Sequence, residues 1–597
     1  MQLSSLINRL PWRTPSQRLG VRRALVLALC LIVGLLSGLA AVTMHNLAQT
    51  VRDLCETALG QCQYREWIAP ALPALGIFFC VVVSEIFFRR ETYGCSLWPA
   101  ILEARHPGRG LPVYHCVSHV MTAGVSVGCG ISAGMEAPSA LTGAAIGVNV
   151  GRWAGVSRET VSLLLASGGA AGIAAVFDAP LGGTLFACEV LLPRVSSVLF
   201  IPLLLSAAAG AIISQMLRAS NDFLAGSYSW HMGNLWLYIL IGALCGIFSW
   251  GIIRTNCLLT RWTASWRNRG LCALAGGAVL YLFFRILPVL GGQGYEFVTA
   301  ILTGQGGNLP AGIFGGASAA GAGTAVLAAF AAALLKPVVS MISLRAGGDG
   351  GLFGPSLVTG GFLGYALYLV LEQSGLQGFP LVNCITAGMA GVLAGVMHAP
   401  LTGLFLIAEL LGGYQLFIPL MIVVAISTFV SKGLTRNNLY FAAAAESPAR
   451  AAAKIYGDDA IGELDNTRVS ELTDHNFYTL SANDKFRTLL GLLVRSRQQV
   501  FPVLDKAGHI VGMVSERNIR PYILDARLYD VLIVDDFMGE PPPAVSDEAT
   551  VGEAANEFDR SHADFLPVTH GGRFAGMLSK ASLLENYRWH LDNIDMF

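Results

Sequence analysis

Long apolar stretches separated by short polar ones make up roughly the first three quarters of this chain. Three of them contain no Asp, Glu, Lys or Arg: Ala24 to Met44, Val195 to Leu217, and Leu410 to Ser431. About 20 apolar residues suffice for a helix to cross the hydrocarbon core of a bilayer. The pattern therefore predicts a polytopic α-helical membrane domain over residues 24–440, and a multi-pass location in a membrane.

Five arginines precede the first apolar stretch. They are Arg9, Arg13, Arg18, Arg22 and Arg23. This start resembles a signal peptide, but the apolar run is longer than the usual core of about 7–15 residues. We therefore expect a retained first helix, with residues 1–23 on the cytoplasmic side because positive charge stays inside.

The pattern changes after Tyr440, where charges become frequent and short strands alternate with amphipathic helices. Phe501-Pro502-Val503 leads to Gly512-Met513-Val514-Ser515, and Leu566-Pro567-Val568 leads to Gly576-Met577-Leu578-Ser579. The repeat predicts a soluble α/β pair, at 467–525 and 530–597, after a linker at 441–466. The pair contains no cysteine, which suits the reducing cytosol.

The apolar part is also built twice. Ala179-Pro180-Leu181 is followed by Glu189, and Ala399-Pro400-Leu401 by Glu409, with nine residues from Pro to Glu in both copies. A Gly-to-Pro loop precedes each copy, at 134–138 and at 351–355. Interrupted apolar segments at matching positions of two halves predict inverted repeats of broken helices, with a solute site between them near mid-membrane.

Glu136 is the ionisable residue of the first loop, Gly134-Met135-Glu136-Ala137-Pro138. An ionisable side chain in an apolar stretch is costly and marks a functional site by default. Pro138 favours a helix start, whose free N–H groups attract an anion. Glu136 either acts as a tethered anion that leaves when protonated, or caps its own helix. The second loop, Gly351-Leu352-Phe353-Gly354-Pro355, offers the matching amides.

Charge and motifs exclude other classes of function. Lys+Arg and Asp+Glu are both 39, so no basic field for nucleic acid is predicted. The chain has no Gly-Lys dipeptide, hence no P-loop, and no His-Glu-x-x-His zinc motif. We do not expect an enzyme or a metal site.

Over nearly its whole length the chain resembles the CLC chloride channels and chloride/proton exchangers. The first loop resembles the family's GxEGP loop and the second its GxFxP loop. Asn438-Leu439-Tyr440 resembles the site of its pore-lining tyrosine, and the tail resembles its paired CBS module. The resemblance implies a homodimer in the bilayer with one chloride pathway per subunit.

The same resemblance implies roles for single residues. Glu136 would be the gate, Leu352 and Phe353 would give backbone amides to the anion, and Tyr440 its hydroxyl. The family's GSGIP loop appears here as Gly94-Cys95-Ser96-Leu97-Trp98-Pro99. Counting from Gly94 places Cys95 at the serine position, whereas counting from Pro99 places Ser96 there. Altered loops also occur in the fluoride-transporting branch, so the preferred anion stays open.

Exchangers of this family carry an inner glutamate that relays the proton. That position falls on Val190, which cannot carry a proton, and Glu189 is adjacent. We therefore expect a passive chloride channel. The alternatives are a chloride/proton antiporter and a membrane-anchored nucleotide sensor.

No cofactor is expected for the membrane domain. The tail is either a purely structural module or an adenine nucleotide site. In the second case Ser515 and Asn518 would contribute, although the residue that usually holds the ribose is Asp and here is Asn518. The resemblance implies a bacterial inner membrane with the CBS pair in the cytoplasm.

Overall fold

The computed structural model describes residues 15–60, 62–87, 97–105, 110–192, 197–217, 229–263, 268–302, 322–376, 379–435, 437–445, 468–496, 498–523, 525–561, 563–580 and 582–583. Cys95 and Ser96 lie outside the described residues, as do residues 1–14, 446–467 and 584–597 of the predicted terminal and linker segments. The chain forms two compact units, Met1–Pro448 and Ala449–Phe597.

The first unit is helical. Its helices are Pro15–Gly60, Arg65–Ile68, Leu72–Phe87, Trp98–Arg105, Ser118–Gly128, Glu136–Ala154, Arg158–Phe177, Pro180–Phe186, Ser197–Leu217, Leu235–Thr263, Arg269–Ile286, Tyr295–Leu302, Ala322–Arg345, Phe353–Gln373, Leu381–Met397, Pro400–Leu410, Phe417–Leu434 and Leu439–Ala445. Within the described ranges, nine helices are long and apolar enough to cross a membrane. The predicted multi-pass helical architecture is confirmed.

Several helices are too short to cross a bilayer, which takes about 20 residues. Trp98–Arg105, Tyr295–Leu302 and Leu439–Ala445 contain eight, eight and seven residues. Glu136, the first residue of its helix, is fully buried. Broken helices of this kind place free backbone N–H groups in the interior, where they need an acceptor.

The internal repeat has the same backbone geometry in both copies. Helix Arg158–Phe177 ends at Asp178 (φ 57°), and helix Leu381–Met397 ends at His398 (φ 55°). Both residues are in the left-handed region, which is uncommon for residues other than glycine. Each is followed by an Ala-Pro pair that starts the next helix. The repeated Ala-Pro-Leu sequence therefore marks one turn built twice.

The second unit contains two small sheets of the same design. The first consists of Leu480–Ser481, Val500–Leu504 and Ile510–Ser515, with helix Phe486–Arg495. The second consists of Val545–Ser546, Phe565–His570 and Arg573–Ser579, with helix Val551–Ser561. In each sheet a short strand pairs parallel with the middle strand, which forms an antiparallel hairpin with the last.

The segment that precedes each copy packs in the core of the other copy. Val469, ahead of the first copy, packs in the core of the second, while Val534 and Phe537, ahead of the second, pack in the core of the first. On the surface, Arg487 Nε donates to Asp530 Oδ1 at 2.8 Å. The Arg487 side chain thereby lowers the pKa of the Asp530 carboxyl. The two copies of this unit therefore depend on each other for their cores.

Candidate functional site

The two Gly-to-Pro loops lie side by side. Gly134 N donates to Gly351 O at 2.9 Å, and Gly351 N donates to Gly134 O at 2.8 Å. Each loop leads directly into a helix, Glu136–Ala154 (the Glu136 helix) or Phe353–Gln373 (the Phe353 helix). The partially positive ends of two helices thus meet in the interior, as the repeat pattern predicts.

The Glu136 carboxylate lies at the start of the Phe353 helix. Gly354 N donates to its Oε2 at 3.2 Å, and the Tyr295 hydroxyl donates to its Oε1 at 2.7 Å. The negative side chain of one half therefore occupies the helix start of the other half. This is the position in which a helix start binds a free anion.

Two glycines make room for this carboxylate. A Cβ atom added at Gly134 would lie 1.9 Å from Glu136 Oε2. One added at Gly354 would lie 2.7 Å from Glu136 Oε1 and 2.8 Å from the Tyr295 hydroxyl oxygen. All three distances are too short for a side chain, so the position of Glu136 requires a glycine at each of these two places.

A cluster of aromatic rings packs around Tyr295, whose hydroxyl donates to the carboxylate. Phe353 packs against Phe177, with ring centroids 5.7 Å apart, and against Phe186 at 5.9 Å. Phe177 also contacts the Tyr295 ring edge-on at 6.3 Å. Leu352 and Phe353 are buried, and their backbone lies at the first turn of the Phe353 helix. Burial of the first turn in an apolar environment strengthens the interaction between the helix start and a negative charge.

Lys336 is a buried cation close to this cluster. Its Nζ donates to the carbonyl oxygens of Leu290, Gly291 and Gly292 at 3.1, 3.2 and 2.8 Å. These carbonyls lie in the short turn before Tyr295. The lysine therefore holds the segment that carries the Tyr295 hydroxyl. The sequence analysis missed Lys336, although a charge inside an apolar helix is a recognisable signal. It also missed Tyr295, for which the sequence offers no comparable signal.

Tyr440 is buried near the start of helix Leu439–Ala445. The next residue, Phe441, packs edge-on against Trp98, with ring centroids 5.3 Å apart. Trp98 directly follows the loop with Cys95 and Ser96, which are not described. The structure therefore brings the tyrosine segment next to the segment that leaves this loop. The roles of Cys95, Ser96, Leu352, Phe353 and Tyr440 as anion ligands stay predictions.

Glu189 caps a helix of the other half. Its carboxylate accepts from Leu401 N at 3.1 Å, and from Thr402 N and Thr402 Oγ1 at 2.7 Å each. Glu409 does the same in reverse, accepting from Leu181 N at 3.0 Å and from Gly182 N at 2.8 Å.

Val190, the residue after Glu189, is buried. The adjacent Glu189 uses both of its carboxylate oxygens at the start of helix Pro400–Leu410. The proton-relay position at Val190 therefore carries an apolar side chain, and the role of Glu189 in a relay stays a prediction.

An open cavity reaches the site. It is lined by Arg65 and Glu66, from the segment after the first helix, and by Met135 and Tyr295 next to Glu136. Arg52 on the first helix contacts the cavity and forms ion pairs with Glu56 and Glu296. The cavity gives solvent and ions a route to the Glu136 loop.

In the second unit, Ser515 and Asn518 contact each other. Ser515 Oγ donates to Asn518 Oδ1 at 2.7 Å, and Asn518 Nδ2 donates to Phe537 O at 3.0 Å. Both polar ends of the Asn518 side chain are therefore used within the protein. Nucleotide binding by this pair stays a prediction.

Comparisons with known proteins agree with this architecture. The family model described as "Voltage gated chloride channel" matches residues 77–432. The CBS domain model matches residues 469–525 and 534–588.

Two curated relatives are similar to the chain. "Chloride channel protein CLC-e" of Arabidopsis thaliana is 29% identical over 471 residues, which cover 71% of this chain and 61% of the relative. "H(+)/Cl(-) exchange transporter ClcA" of Vibrio cholerae is 27% identical over 418 residues, covering 66% and 84%. The chain thus spans less than two thirds of the plant relative and most of the bacterial one.

A solved structure has the same fold. The crystal structure described as a slow cyanobacterial Cl⁻/H⁺ antiporter has a TM-score of 0.60 and 20% sequence identity. The match covers 71% of this chain and 98% of the solved one.

Proposed function

The chain belongs to the voltage-gated chloride channel (CLC) family, with paired CBS domains, and from this premise we propose that it exchanges chloride for protons across a membrane. In this proposal Glu136 both blocks the anion pathway and carries the proton. Chloride is the substrate, and no cofactor takes part in transport.

One observation carries the proposal: the Glu136 carboxylate lies at the start of the Phe353 helix, where Gly354 N donates to it. A carboxylate there competes directly with a chloride ion for the same helix start. Protonation removes its charge and with it the attraction to the N–H groups. The gate therefore opens to chloride when it takes up a proton, which couples the two ions at one side chain.

The surrounding residues support anion binding after Glu136 leaves. The amides of Leu352 and Phe353 would then face the vacated space, and Tyr440 would add its hydroxyl. No Lys or Arg side chain is required at the ion itself, because helix starts and a hydroxyl supply the donors. Weak neutral donors of this kind allow an ion to leave as well as to bind.

The names of the relatives favour exchange over the passive channel predicted from the sequence. ClcA of Vibrio cholerae is named an exchange transporter, and its match with this chain covers 84% of its length. The passive channel stays the second candidate, since Val190 has no titratable group and the oxygens of Glu189 cap a helix. An alternative inner proton route would remove this objection.

The experiment is proton uptake into proteoliposomes that hold the purified protein and an outward chloride gradient. Exchange predicts that chloride efflux drives protons inward against their gradient, and that Glu136→Gln abolishes this uptake but not chloride efflux. Chloride efflux without proton uptake in the wild type would favour the passive channel. No chloride efflux at all would favour a membrane-anchored nucleotide sensor.

The family relationship also supports a homodimer in which each subunit has its own pathway. With the arginine-rich start on the inside, the CBS pair would lie in the cytoplasm of a bacterial cell, below the inner membrane. Light scattering of the detergent-solubilised protein tests the dimer, and protease access in oriented vesicles tests the sidedness.

A further inference from the structure

Three buried ionisable side chains form a row beside the Glu136 helix. His115 Nδ1 lies 3.4 Å from His119 Nε2, and His119 Nδ1 lies 2.8 Å from Asp349 Oδ2. The two imidazole rings are nearly parallel, with centroids 5.5 Å apart. The histidines are each 6% exposed and Asp349 is 2% exposed. Such groups are costly in the interior of a membrane domain, and the anion site described above uses none of them.

The row extends along the Glu136 helix. At one end, Asn149 Nδ2 donates to Leu111 O at 3.0 Å, which ties the segment before His115 to the far half of that helix. At the other end, a Cβ atom on Gly351, two residues after Asp349, would lie 2.6 Å from Ala137 Cβ. Positions 137 and 149 of one helix are about 18 Å apart. The segments next to the two ends of the row therefore contact the Glu136 helix at well-separated points, and the Asp349 end is the one near the Glu136 loop.

The direction of the row follows from the first helix. Gly124 packs against Leu47, and Gly128 packs against Val51. Helix Ser118–Gly128 therefore runs parallel to helix Pro15–Gly60, and His115 lies toward the end at which the first helix begins. With an arginine-rich, cytoplasmic start, this is the inner side. By the family resemblance, the proton-relay position is also on the inner side, and Val190 at that position has no titratable group.

We propose that His115, His119 and Asp349 form the inner proton route of the exchanger, in place of an acid at position 190. The proposal rests on the exchange function proposed above. The row would transfer protons, which two imidazoles and a carboxylate joined by hydrogen bonds can do. A neutral imidazole accepts a proton on one nitrogen and releases one from the other.

The transfer conserves protons at every step. A proton from the inner solution binds His115 Nε2, and the proton on His115 Nδ1 passes to His119 Nε2. The proton on His119 Nδ1 passes to Asp349 Oδ2, which becomes a neutral carboxylic acid. Each imidazole has then gained one proton and lost one, and its proton is on Nε2. Its first tautomer is restored when solvent takes the Nε2 proton and returns one to Nδ1. Asp349 lies two residues before Gly351, which pairs with Gly134 of the Glu136 loop. In the last step the proton passes through water from Asp349 to Glu136 after the Glu136 carboxylate has left Gly354, and Asp349 becomes a carboxylate again.

Other groups contact the row. Thr122 Oγ1 donates to Asp349 Oδ2 at 2.5 Å, and Ser126 Oγ donates to Asp349 O at 2.8 Å. The titratable neighbours are the Cys80 thiol, which donates to Thr122 O at 3.3 Å, and the Tyr114 ring, which packs on His115. Near the inner end, the Glu103 carboxylate accepts from Gly110 N at 2.9 Å, and the Arg152 side chain lies against Gly110.

The test measures protons moved per chloride in proteoliposomes for His119→Gln and Asp349→Asn. Both replacements keep polar side chains of similar size but cannot pass a proton. Chloride flux should persist, while proton flux per chloride should fall by about 100-fold, the low end of what a positioned proton donor contributes. Ser126→Ala is the matched control, because it loosens the Asp349 backbone without removing a titratable group. It should keep the wild-type proton-to-chloride ratio.

The outcomes separate this proposal from the exchange function. A coupled wild type with unchanged coupling in His119→Gln would overturn the proton route and leave exchange intact. An uncoupled wild type would overturn exchange itself. Equal loss of coupling in Ser126→Ala would show that the row acts only by anchoring the loop. If His119→Gln does not fold, His115→Gln at the inner end is measured in the same way, and retained coupling there contradicts the row.

Discussion

The Glu189 carboxylate and the Thr402 backbone N–H are joined by a hydrogen bond of 2.7 Å across the two halves of the membrane domain. Glu409 and Gly182 form the reciprocal bond at 2.8 Å. The equal Pro-to-Glu spacing of the two repeats thus has a structural cause, since each glutamate caps the helix that the other repeat begins.

Glu189→Ala should therefore destabilise the protein without changing ion coupling. Loss of a helix cap costs about 0.5–2 kcal/mol. Glu409→Ala, its counterpart, should cost a similar amount. Thermal unfolding in detergent measures both variants, and ion flux in liposomes completes the comparison. Loss of proton coupling in Glu189→Gln, with a normal unfolding temperature and normal chloride flux, would contradict the capping role.

Removal of the gate charge should raise chloride flux. In Glu136→Gln and Glu136→Ala no carboxylate competes with chloride at Gly354, so flux should increase and lose its dependence on pH. Chloride efflux from proteoliposomes between about pH 3.5 and about pH 7.5, a range that spans the ordinary glutamate pKa of about 4.3, measures this. The control is Glu372→Gln, a carboxyl at the opposite end of the Phe353 helix. Wild-type pH dependence in both Glu136 variants would contradict the gate assignment.

Tyr295→Phe should weaken the closed position of the gate. The variant removes the phenol that donates to Glu136 Oε1 at 2.7 Å but keeps the ring contact with Phe177. A hydrogen bond to a charged group contributes about 1.5–3 kcal/mol. Chloride flux at neutral pH should increase several-fold, and Tyr414→Phe, at an exposed tyrosine, should leave it unchanged. An unchanged flux in Tyr295→Phe would show that Gly354 alone holds the carboxylate.

Tyr440→Phe should weaken anion binding. Loss of one neutral donor costs about 0.5–1.5 kcal/mol, or somewhat more when the acceptor is charged. Titration calorimetry with chloride measures the change. It is done in the Glu136→Gln background, where no carboxylate occupies the site. Equal affinity for Tyr440→Phe and Tyr440→Ala in that background, both matching the parent, would show that the tyrosine only packs.

Much of the fold could be predicted because its signals are local or periodic. Uncharged stretches indicate the membrane helices, and the repeated Ala-Pro-Leu and Gly-to-Pro segments indicate two halves. The position of Glu136 in an apolar loop marked it as a functional candidate, and the family resemblance then suggested the gate role.

The partners of these residues could not be predicted in the same way. Tyr295 lies 159 positions from Glu136, and Asp349 lies 230 positions from His119. Such contacts depend on how helices far apart in sequence pack together, which neither spacing nor composition specifies. The capping role of Glu189 was missed for the same reason, since its acceptor atoms meet amides 212 and 213 positions away.

The most direct test of the account is the reversal potential of the purified wild-type protein under separate chloride and proton gradients. Exchange through Glu136 predicts that a pH gradient alone shifts the reversal potential away from the chloride equilibrium value, and that Glu136→Gln removes this shift. A reversal potential equal to the chloride equilibrium value at every pH gradient would contradict exchange and show passive conduction.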